Sequence, residues 1–504
     1  MSMPAEHLTT TKLLSDLLVG FADAPSIEIH GVASDSRSLK CGDLFLACGG
    51  DNSHGLDYLS DAVTAGVAAV AWDSSTADAP NAEIGVPMVA VPGLASRLGE
   101  IANRFYDRPS AAISVTGVTG TNGKTTVAWL IAQCYEQLGK PCGYVGTLGS
   151  GVGEVADGEG VTTPGAVELH GYLDDFRDQG AECAAIEVSS HALAQNRIDG
   201  VVFDTVLFTN LSRDHLDYHG DMQSYAESKA RLFLESNARN RIINLDTEFG
   251  TELASRCGQN VVVVSTNFDR VANGRPYVFV RSTAAKDTGS FVRVSSSWGD
   301  GEFALPLPGD FNVANAVIVL ALLLRQDVPL AKACDVLSTV SAPPGRMQRV
   351  AVSTGLPSVY IDYAHTPVAI DGALRALRAH CKGKLWCVFG CGGDRDPGKR
   401  AQMGQLAERR ADQLVITSDN PRGEEPSVII AAIIEGLAKP ERATIIEDRG
   451  AAIAWAIDQA AAEDLVLIAG KGHESYQLLG GNRLDFSDYG AAFANLQAKA
   501  EASE

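Results

Sequence analysis

Short apolar runs alternate with helix-length patterns through most of this 504-residue chain. The helical patterns occupy residues 127–138 and 316–324, and apolar runs of strand length occupy 111–116, 184–188, 206–209, 242–245, 358–363, 385–390, 414–418 and 465–469. Strands that alternate with crossover helices normally build parallel sheets. The pattern therefore predicts an α/β fold with parallel sheets covered by helices.

Clusters of turn-forming residues divide this pattern into three blocks. Arg108-Pro109-Ser110 is typical of a turn and precedes a glycine-rich segment. Ala342-Pro343-Pro344-Gly345 precedes a second series of alternating strands and helices. Proline and glycine clusters of this kind punctuate chains, and a chain of this length normally holds more than one domain. We therefore predict domains at residues 1–109, 110–344 and 345–504.

Composition excludes several classes of function. No apolar run approaches the roughly 18 residues of a membrane span, and the first residues lack a secretory signal pattern. We therefore expect a cytoplasmic protein with no membrane partner. The ten cysteines contain no CxxC pair, which favours reduced thiols over a zinc or redox site. The formal net charge of -21 argues against a nucleic-acid partner, which clustered Lys and Arg would bind.

The most informative segment is a glycine-rich stretch between a predicted strand and a predicted helix. Small residues let backbone N–H groups face a polyphosphate, and the following helix adds its partial positive end. Lys124 can reach the β- and γ-phosphates, and the Thr125 hydroxyl can bind Mg²⁺. A glycine-rich turn without a ligand is the alternative. The predicted ATP loop consists of Gly120, Thr121, Asn122, Gly123, Lys124, Thr125 and Thr126.

This loop resembles the ATP loop of the Mur ligase family, whose members build the peptide stem of bacterial cell-wall precursors. Further matches extend from residue 35 to residue 476. The resemblance implies an ATP-dependent ligase that activates a carboxylate as an acyl phosphate and lets an amine displace the phosphate. It also implies a P-loop ATPase-like central domain, a Rossmann-like C-terminal domain and a smaller N-terminal α/β domain that binds UDP. We expect a monomer.

Three residues outside the loop complete the expected catalytic and metal-binding set. Alone, Glu187 would be read as a salt-bridged or capping residue at a strand end, and Lys229 as a solvated helix lysine. His215 lies in a polar cluster that could be a surface loop. The resemblance instead implies that Glu187 binds Mg²⁺, as Thr125 can, and that His215 binds a second Mg²⁺. It implies that Lys229 is carbamylated and becomes an anionic ligand.

The resemblance also implies how the nucleotide and the UDP-linked substrate bind. It assigns the muramoyl-peptide contacts to Ser36, Asp51, Asn52, Ser53, Thr162, Thr163, Ser189, Gln195 and Arg197. Asn312 and Asn315 would flank the adenine, although a helix cap is the simpler reading of that segment. Arg346 would approach the ATP phosphates, and Asp362 and His365 would lie near the nucleotide.

The incoming amine is indicated by Asp419-Asn420-Pro421-Arg422, which follows a predicted strand. An Asx-Pro turn explains the Asn and Pro but not the Arg, whose planar fork suits a carboxylate. The segment resembles that of Mur ligases that add meso-diaminopimelate, and lysine-adding members lack this arginine pattern. The resemblance adds Arg395, Gly470 and Glu474. Arg395 and Arg422 would bind carboxylate, and Glu474 would bind the distal ammonium.

The expected partners are thus ATP, a UDP-N-acetylmuramoyl-dipeptide and meso-diaminopimelate, with Mg²⁺ as cofactor. A lysine-adding relative is the nearest alternative. A folylpolyglutamate synthase would share the loop but should lack the Asp-Ser-Arg segment at residues 35–37. A non-enzymatic ATP-binding scaffold would be signalled by loss of Lys124, Glu187 or Lys229, and all three are present.

Overall fold

The structure is a computed structural model and describes residues 11–50, 53–79, 85–157, 161–286, 288–351 and 355–503. By its internal contacts the chain divides into two compact units. The first comprises the chain up to Lys124 together with Ile131–Ile243 and Thr247–Val261. The second comprises Thr125–Leu130, Asn244–Asp246 and the chain from Val262 onward. The boundaries predicted near residues 109 and 344 stay a prediction.

In the described residues, the first unit contains a four-stranded parallel sheet, a larger mixed group of strands and a short separate antiparallel pair. Its strands are β1 (Lys12–Leu13), β2 (Glu28–Ile29), β3 (Gly31–Ala33), β4 (Asp43–Ala47), β5 (Ala69–Asp73), β6 (Met88–Val91), β7 (Ser114–Thr119), β8 (Cys142–Gly146), β9 (Gly149–Val152), β10 (Ala156–Asp157), β11 (Cys183–Glu187), β12 (Thr205–Phe208) and β13 (Asn240–Asn244). The helices that begin in it are α1 (Leu14–Leu17), α2 (Leu59–Ala65), α3 (Leu98–Phe105), α4 (Pro109–Ala112), α5 (Lys124–Gln137), α6 (Ala166–Asp178), α7 (Ser190–Ala194), α8 (Leu216–His219), α9 (Met222–Leu234) and α10 (Glu248–Arg256).

The N-terminal part of this unit is a four-stranded parallel sheet in the order β3-β4-β5-β6. Leu44 and Leu46 of β4 point into a core that also contains Ile101 and Phe105 of α3. β4 and β5 are buried along their whole length. Such continuous burial is expected of parallel strands, because helices cover both faces of the sheet.

The larger group of strands places several predicted site residues at one edge. Its neighbours run in the order β10-β9-β8-β11-β7-β12-β13, and β7 lies between the parallel strands β11 and β12. Val118 of β7 is in register with Glu187 of β11 and with Leu207 of β12. Because parallel strands end at the same edge, the loop after β7 emerges beside Glu187 and beside the loop after β12.

The second unit contains an antiparallel hairpin layer and a larger, mainly parallel sheet. Its strands are β14 (Val262–Ser265), β15 (Tyr277–Lys286), β16 (Gly289–Ser296), β17 (Gly299–Leu305), β18 (Gln348–Val350), β19 (Ser358–Asp362), β20 (Leu385–Phe389), β21 (Gln413–Ile416), β22 (Ala443–Ile445), β23 (Leu465–Ala469), β24 (Tyr476–Leu479) and β25 (Asn482–Asp485). Its helices are α11 (Asp310–Arg325), α12 (Leu330–Leu337), α13 (Pro367–Arg378), α14 (Gly398–Arg410), α15 (Pro426–Ile434), α16 (Arg449–Gln459) and α17 (Asp488–Ser503).

The C-terminal sheet has the order β18-β19-β23-β20-β21-β22 and is parallel except for β18. One face packs against α13, α14 and α15, and the other packs against α16 and α17. This is a doubly wound arrangement, in which ligands bind beyond the carboxyl ends of the strands. The loops after β20, β21 and β23 all emerge at that edge.

The predicted α/β fold is confirmed, and one predicted strand is wrong in position. Residues 111–116 were predicted as a strand, but Pro109–Ala112 forms helix α4 and the strand is Ser114–Thr119. Arg108 adopts φ 57° and Pro109 begins the helix, a position that suits proline because it needs no N–H donor there. The apolar Ala111-Ala112 pair therefore belongs to a helix.

The structure also bears on membrane-spanning helices and on the state of the cysteines. Within the described ranges, none of the helices has both the length and the apolar character needed to cross a membrane. All ten cysteines carry free thiols.

Candidate active site

The glycine-rich loop follows β7 directly and leads into α5. Gly120 has φ 147°, and a Cβ at this position would overlap the Thr209 hydroxyl oxygen. Gly123 has φ 86° and occupies the position before Lys124, the first residue of α5. Both positions favour glycine because L-residues with a side chain rarely adopt such backbone angles. Thr125 and Thr126 lie in the first turn of α5 and are buried.

The loop is held by the segment after β12. The Thr121 N–H donates to Asn210 O at 2.9 Å, and the Asn122 N–H donates to Asn210 Oδ1 at 3.0 Å. Thr209 Oγ1 donates to Asn122 O at 2.6 Å. Lys124 Nζ bends back over the loop and donates to Gly120 O and Thr121 O, each at 2.9 Å. The loop is therefore pre-shaped, and its lysine already lies against the backbone that would surround a phosphate.

Lys229 reaches the same loop from α9. Its side chain is 1% exposed, and Nζ donates to Gly120 O at 2.9 Å. Nζ also lies 4.5 Å from the centre of the Tyr225 ring. Burial, followed by the charge of Lys124, lowers the pKa of Lys229 well below its usual value. The interpretation of this residue as a solvated helix lysine is wrong, because α9 turns its amine into the interior.

Glu187 ends β11 and is completely buried. Its Oε1 accepts hydrogen bonds from the Tyr144 hydroxyl at 2.6 Å and from the Thr147 N–H at 2.9 Å. Thr147 Oγ1 donates to Oε2 at 3.3 Å. The neighbouring strand β8 therefore fixes the carboxylate. Tyr144 and Thr147 were not predicted from the sequence, since nothing in their local pattern distinguishes them from ordinary strand and turn residues.

His215 adopts a left-handed conformation, φ 52°, immediately before α8. Its ring lies edge-on to the His191 ring, with centroids 4.9 Å apart, and 6.0 Å from the Tyr225 ring. Burial lowers the pKa of His215, so the neutral imidazole is favoured. Tyr225 also bonds to Thr121, with oxygens 3.1 Å apart, which links this aromatic group to the ATP loop.

These residues fit a magnesium site in their chemistry. Among the residues that the structure describes, no three His, Cys, Asp or Glu side chains are grouped so as to hold a metal. The predicted site needs only two side chains from this set of residue types: the buried carboxylate of Glu187 and the neutral imidazole of His215. Besides these and Thr125, the carbamate of Lys229 would be a protein ligand, since the lowered pKa of this lysine favours the reactive neutral amine.

The residues predicted to hold the sugar-peptide fall into two groups. Thr163, Ser189 and Arg197 meet at the carboxyl end of β11. Thr163 Oγ1 donates to Glu187 O at 2.7 Å and accepts from the Ser189 N–H at 3.0 Å, and Arg197 Nη1 donates to Thr163 O at 2.9 Å. Gln195 Oε1 accepts from Arg197 Nε at 2.8 Å. Thr162 joins the group through Thr147, with hydroxyl oxygens 3.2 Å apart.

In the second group, Ser36 follows strand β3 and Ser53 follows strand β4 of the N-terminal sheet. Ser36 begins a short 3₁₀ helix, Ser36–Ser38, which Asp35 caps by accepting from the Arg37 N–H. Ser53 bonds to Tyr58, with hydroxyl oxygens 3.1 Å apart. The contacts described for Ser36 and Ser53 remain within their own segments. Asp51 and Asn52 lie outside the described residues.

The remaining nucleotide residues lie in the second unit. Asn312 and Asn315 are buried on α11, where Asn312 Nδ2 donates to Pro308 O at 2.8 Å. The Arg346 guanidinium lies 4.4 Å from the centre of the Tyr363 ring. Asp362 accepts backbone N–H groups of Met347 at 2.7 Å and Ala364 at 2.9 Å, and the His365 ring bonds to Tyr363 O at 2.8 Å. Asp362 and His365 therefore shape the segment beside Arg346.

The predicted amine-binding residues meet at the carboxyl edge of the C-terminal sheet. The Asn420 side chain is 2% exposed, and its Nδ2 donates to Glu474 Oε2 at 2.8 Å. Its Oδ1 accepts from Leu478 N at 2.9 Å. The Asn420 amide is thus engaged on both sides within the protein. It joins the loop after β21 to the loop after β23.

The other members of this group surround the same edge. Arg422 has φ 54°, and its Nη1 donates to Gly393 O at 2.9 Å. A Cβ on Gly392 would lie 2.9 Å from Arg422 Nη1 and 3.8 Å from Arg395 Cγ, so both arginines flank this glycine. Pro421 is buried. Gly470 has φ 121°, and a Cβ there would overlap Asp419 Oδ2.

Lys471 was missed by the sequence analysis. It is fully buried, and its Nζ donates to Asn420 Oδ1 at 3.1 Å and to Glu474 Oε2 at 3.0 Å. The signal that could have found it is a lysine between two glycines, Gly470 and Gly472, in a loop already assigned to the amine.

Three family models match successive parts of the chain. They are the Mur ligase family catalytic domain at residues 28–106, the Mur ligase middle domain at 118–323 and the Mur ligase glutamate ligase domain at 345–472. A protein of Xanthomonas campestris pv. campestris (strain 8004) is 42% identical over 493 residues, covering 95% of this chain and 96% of its own. The chain belongs to the Mur ligase family. Each model lies within one of the three domains predicted for this Mur ligase.

Two further relatives carry the same name as the Xanthomonas protein, UDP-N-acetylmuramoyl-L-alanyl-D-glutamate–2,6-diaminopimelate ligase. One, from Ectopseudomonas mendocina (strain ymp), is 45% identical over 460 residues, covering 91% of this Mur ligase and 93% of its own chain. The other is a solved structure, 32% identical, that matches with a TM-score of 0.70 and covers 97% of this Mur ligase and 99% of its own chain.

Proposed function

We propose that this Mur ligase joins meso-diaminopimelate to UDP-N-acetylmuramoyl-L-alanyl-D-glutamate, with conversion of ATP to ADP and phosphate, in peptidoglycan precursor synthesis. Relatives that bear this enzyme's name align with nearly the whole chain. Arg422 and Glu474 supply the two charges that the distal end of meso-diaminopimelate requires. A guanidinium fork suits the carboxylate, and a carboxylate suits the ammonium.

The observation that carries the chemistry is the buried Lys229 amine beside the phosphate loop, 2.9 Å from Gly120 O. A protonated lysine here would repel Mg²⁺ and would compete with Lys124. A neutral amine can instead attack CO₂, forming an N–C bond and releasing one proton, to give a carbamate. The carbamate, Glu187 and His215 would hold Mg²⁺, which when bound offsets negative charge on the phosphates of ATP.

The reaction needs positioning and charge neutralisation rather than a protein nucleophile. The D-glutamate side-chain carboxylate attacks the γ-phosphorus of ATP, forming an acyl phosphate and releasing ADP. Lys124 stabilises the charge on the transferred phosphoryl group. The neutral amine of meso-diaminopimelate then attacks the acyl carbon, and phosphate leaves with the electron pair of the broken C–O bond while the nitrogen loses a proton.

Each substrate has a set of proposed contacts. Thr162, Thr163, Ser189, Gln195 and Arg197 receive the sugar-peptide beside Glu187, with Ser36 and residues 51–53 on the uridine side. Asn312 and Asn315 flank the adenine, and Arg346, Asp362 and His365 lie along the nucleotide. Arg395 and Arg422 bind the distal carboxylate of the amine substrate. Asp419, Asn420, Pro421 and Gly470 form the wall that positions Glu474.

The proposal also covers the cellular compartment and the oligomeric state of the enzyme. ATP and UDP-activated precursors are cytoplasmic compounds, so we infer that the enzyme works in the cytoplasm. We further propose that it acts as a monomer.

The experiment that tests the proposal supplies purified protein with ATP, Mg²⁺, the UDP-muramoyl dipeptide and one amino acid at a time. ADP release and product mass are measured with meso-diaminopimelate, L-lysine and L-glutamate. We expect the meso-diaminopimelate product to dominate. Equal or better use of lysine would move the protein to the lysine-adding class, and no dipeptide-dependent ADP release would refute the ligase assignment.

The modification of Lys229 has its own test. Incubation with ¹³C-bicarbonate should produce a carbamate carbon resonance in the NMR spectrum of the wild-type protein. The Lys229→Met variant should lack it. Lys140→Met is the matched control, because Lys140 is exposed and should not affect the signal. A resonance that persists in Lys229→Met would show that another amine carries the CO₂.

A further inference from the structure

Lys471 is a buried cation at the centre of the proposed amine-binding loops. Its side chain is 0% exposed, and its Nζ lies 5.6 Å from the centre of the Tyr476 ring in addition to its bonds with Asn420 and Glu474. Burial of a charge is costly unless it is paired and hydrogen-bonded. A neutral side chain of similar length would fill this space at lower cost. The retained charge therefore calls for a functional explanation.

Lys471 contacts one of the two oxygens of the Glu474 carboxylate, Oε2. Within the part of the chain that the structure describes, the side-chain hydrogen bonds to Glu474 come from Lys471 and Asn420, and both end on Oε2. The Glu474 side chain keeps 19% exposure. Its Oε1 is thus the atom that can receive a substrate ammonium. That ammonium would lie close to the positive charge of Lys471.

Charged groups of both signs surround these loops. A Cβ built on Gly470 would lie 3.8 Å from Arg449 Nη2 and would overlap Asp419, so both groups flank this glycine. Arg449 is paired with Asp488. These loops therefore carry the cations Arg449, Lys471 and Arg422 beside the carboxylates Asp419, Asp488 and Glu474. Loss of Lys471 would remove the cation that is hydrogen-bonded to Glu474 and would favour a cationic side chain at that carboxylate.

We propose that Lys471 is a specificity-determining residue, which makes the pocket unfavourable for a substrate whose distal end is a bare ammonium. L-lysine brings one positive charge to this place, whereas meso-diaminopimelate brings an ammonium and a carboxylate together. The positive charge of Lys471 repels the distal ammonium of L-lysine. With meso-diaminopimelate, its attraction to the distal carboxylate offsets its repulsion of the ammonium. This inference rests on the proposed function, because it assumes that the two loops receive the amine substrate.

The test compares two uncharged variants of Lys471 in the full-length protein. Lys471→Met removes the charge and the hydrogen bonds, whereas Lys471→Gln removes the charge and keeps an N–H donor. Lys499→Met is the matched control, because the Lys499 amine is also hydrogen-bonded within the protein, to backbone carbonyl oxygens at the end of α16, but lies on α17. For each protein the KM of meso-diaminopimelate and the inhibition constant of L-lysine are measured in the complete reaction.

We expect both Lys471 variants to lower the preference for meso-diaminopimelate over lysine about tenfold or more, as the loss of one charge interaction in a partly buried site implies. Most of the change should appear in binding of the amines, and Lys499→Met should keep the wild-type preference. An unchanged preference in Lys471→Gln would overturn the proposal, even if Lys471→Met loses it. That pattern would assign Lys471 a purely hydrogen-bonding role.

A measurement on the wild-type protein covers the case in which the variants do not fold. Norleucine keeps the four-carbon side chain of lysine and lacks its terminal ammonium. If Lys471 offsets the attraction of Glu474, lysine should inhibit no more than about tenfold better than norleucine. A larger advantage for lysine would contradict the inference. Failure of the wild-type protein to use meso-diaminopimelate at all would instead refute the proposed function.

Discussion

Arg449 and Asp488 form an ion pair in which neither side chain is exposed to solvent. Arg449 Nε donates to Asp488 Oδ1 and Nη2 donates to Oδ2, each at 2.7 Å. The same guanidinium donates to Ser418 O at 3.2 Å and to Ala469 O at 2.9 Å. It therefore joins the backbone just before Asp419 to the backbone just before Gly470. The pair on α16 and α17 sets the spacing of the two loops proposed to hold the amine.

Removal of Asp488 should destabilise the protein strongly. Asp488→Ala leaves the buried Arg449 without its partner, and such changes cost about 3–5 kcal/mol. We expect that fall in the free energy of unfolding measured in urea. Glu302→Ala is the control, since its pair with Arg293 is about 60% exposed on both sides and should contribute about 0–1 kcal/mol. Equal losses in the two variants would contradict the importance assigned to burial.

Replacement of Lys124 should affect the chemical step. Lys124→Met removes the cation from the phosphate loop while keeping its length, and loss of one stabilising group of this kind costs about 100-fold or more in kcat. The rate of ADP release checks this. Lys140→Met removes an exposed lysine just after α5 and should retain the wild-type rate. A Lys124→Met enzyme within a few-fold of wild type would remove Lys124 from the mechanism.

A side chain at Gly120 should disrupt ATP binding. The methyl group of Gly120→Ala would overlap the Thr209 hydroxyl and would also require φ near 147°. We expect a raised KM for ATP and at least about tenfold slower ADP release, since misplacement of reacting groups is costly. Gly139→Ala also has a positive φ, 77°, but its Cβ would meet no atom within 4 Å. It should lose only about 1–2 kcal/mol of stability and retain normal ATP kinetics.

The buried Lys229 should make stability depend on pH in a CO₂-free buffer. Its pKa is lowered in the folded state, against an ordinary value of about 10.4. Between these two values the unfolded chain binds one more proton than the folded chain, so stability rises with pH through this window. Lys229→Met should remove that rise. Urea unfolding of both proteins at pH 7 and pH 9.5 measures it, and parallel pH profiles would show that Lys229 titrates alike in both states.

Local sequence was sufficient to predict many of the strands and the glycine-rich loop between a strand and a helix. Continuous apolar runs identified β11, β12, β20, β21 and β23 because strands covered on both faces need no polar alternation. The ATP loop was recognisable because a strand, small residues, a lysine and a helix must follow one another along the chain. The strand near residue 114 was placed too early, since Ala111 and Ala112 suit an apolar strand and a helix equally well.

Tertiary structure decided what each polar side chain does. The sequence by itself determined that Lys229 lies on a helix, but only packing of α9 against the ATP loop turned its amine inward and lowered its pKa. Likewise Asn420 was predicted as a substrate contact, whereas the fold directs its amide to Lys471, Glu474 and Leu478. Local periodicity specifies which face of an element is apolar. The partners of the Asn420 amide lie more than 50 positions away along the chain, and only the folded chain brings them together.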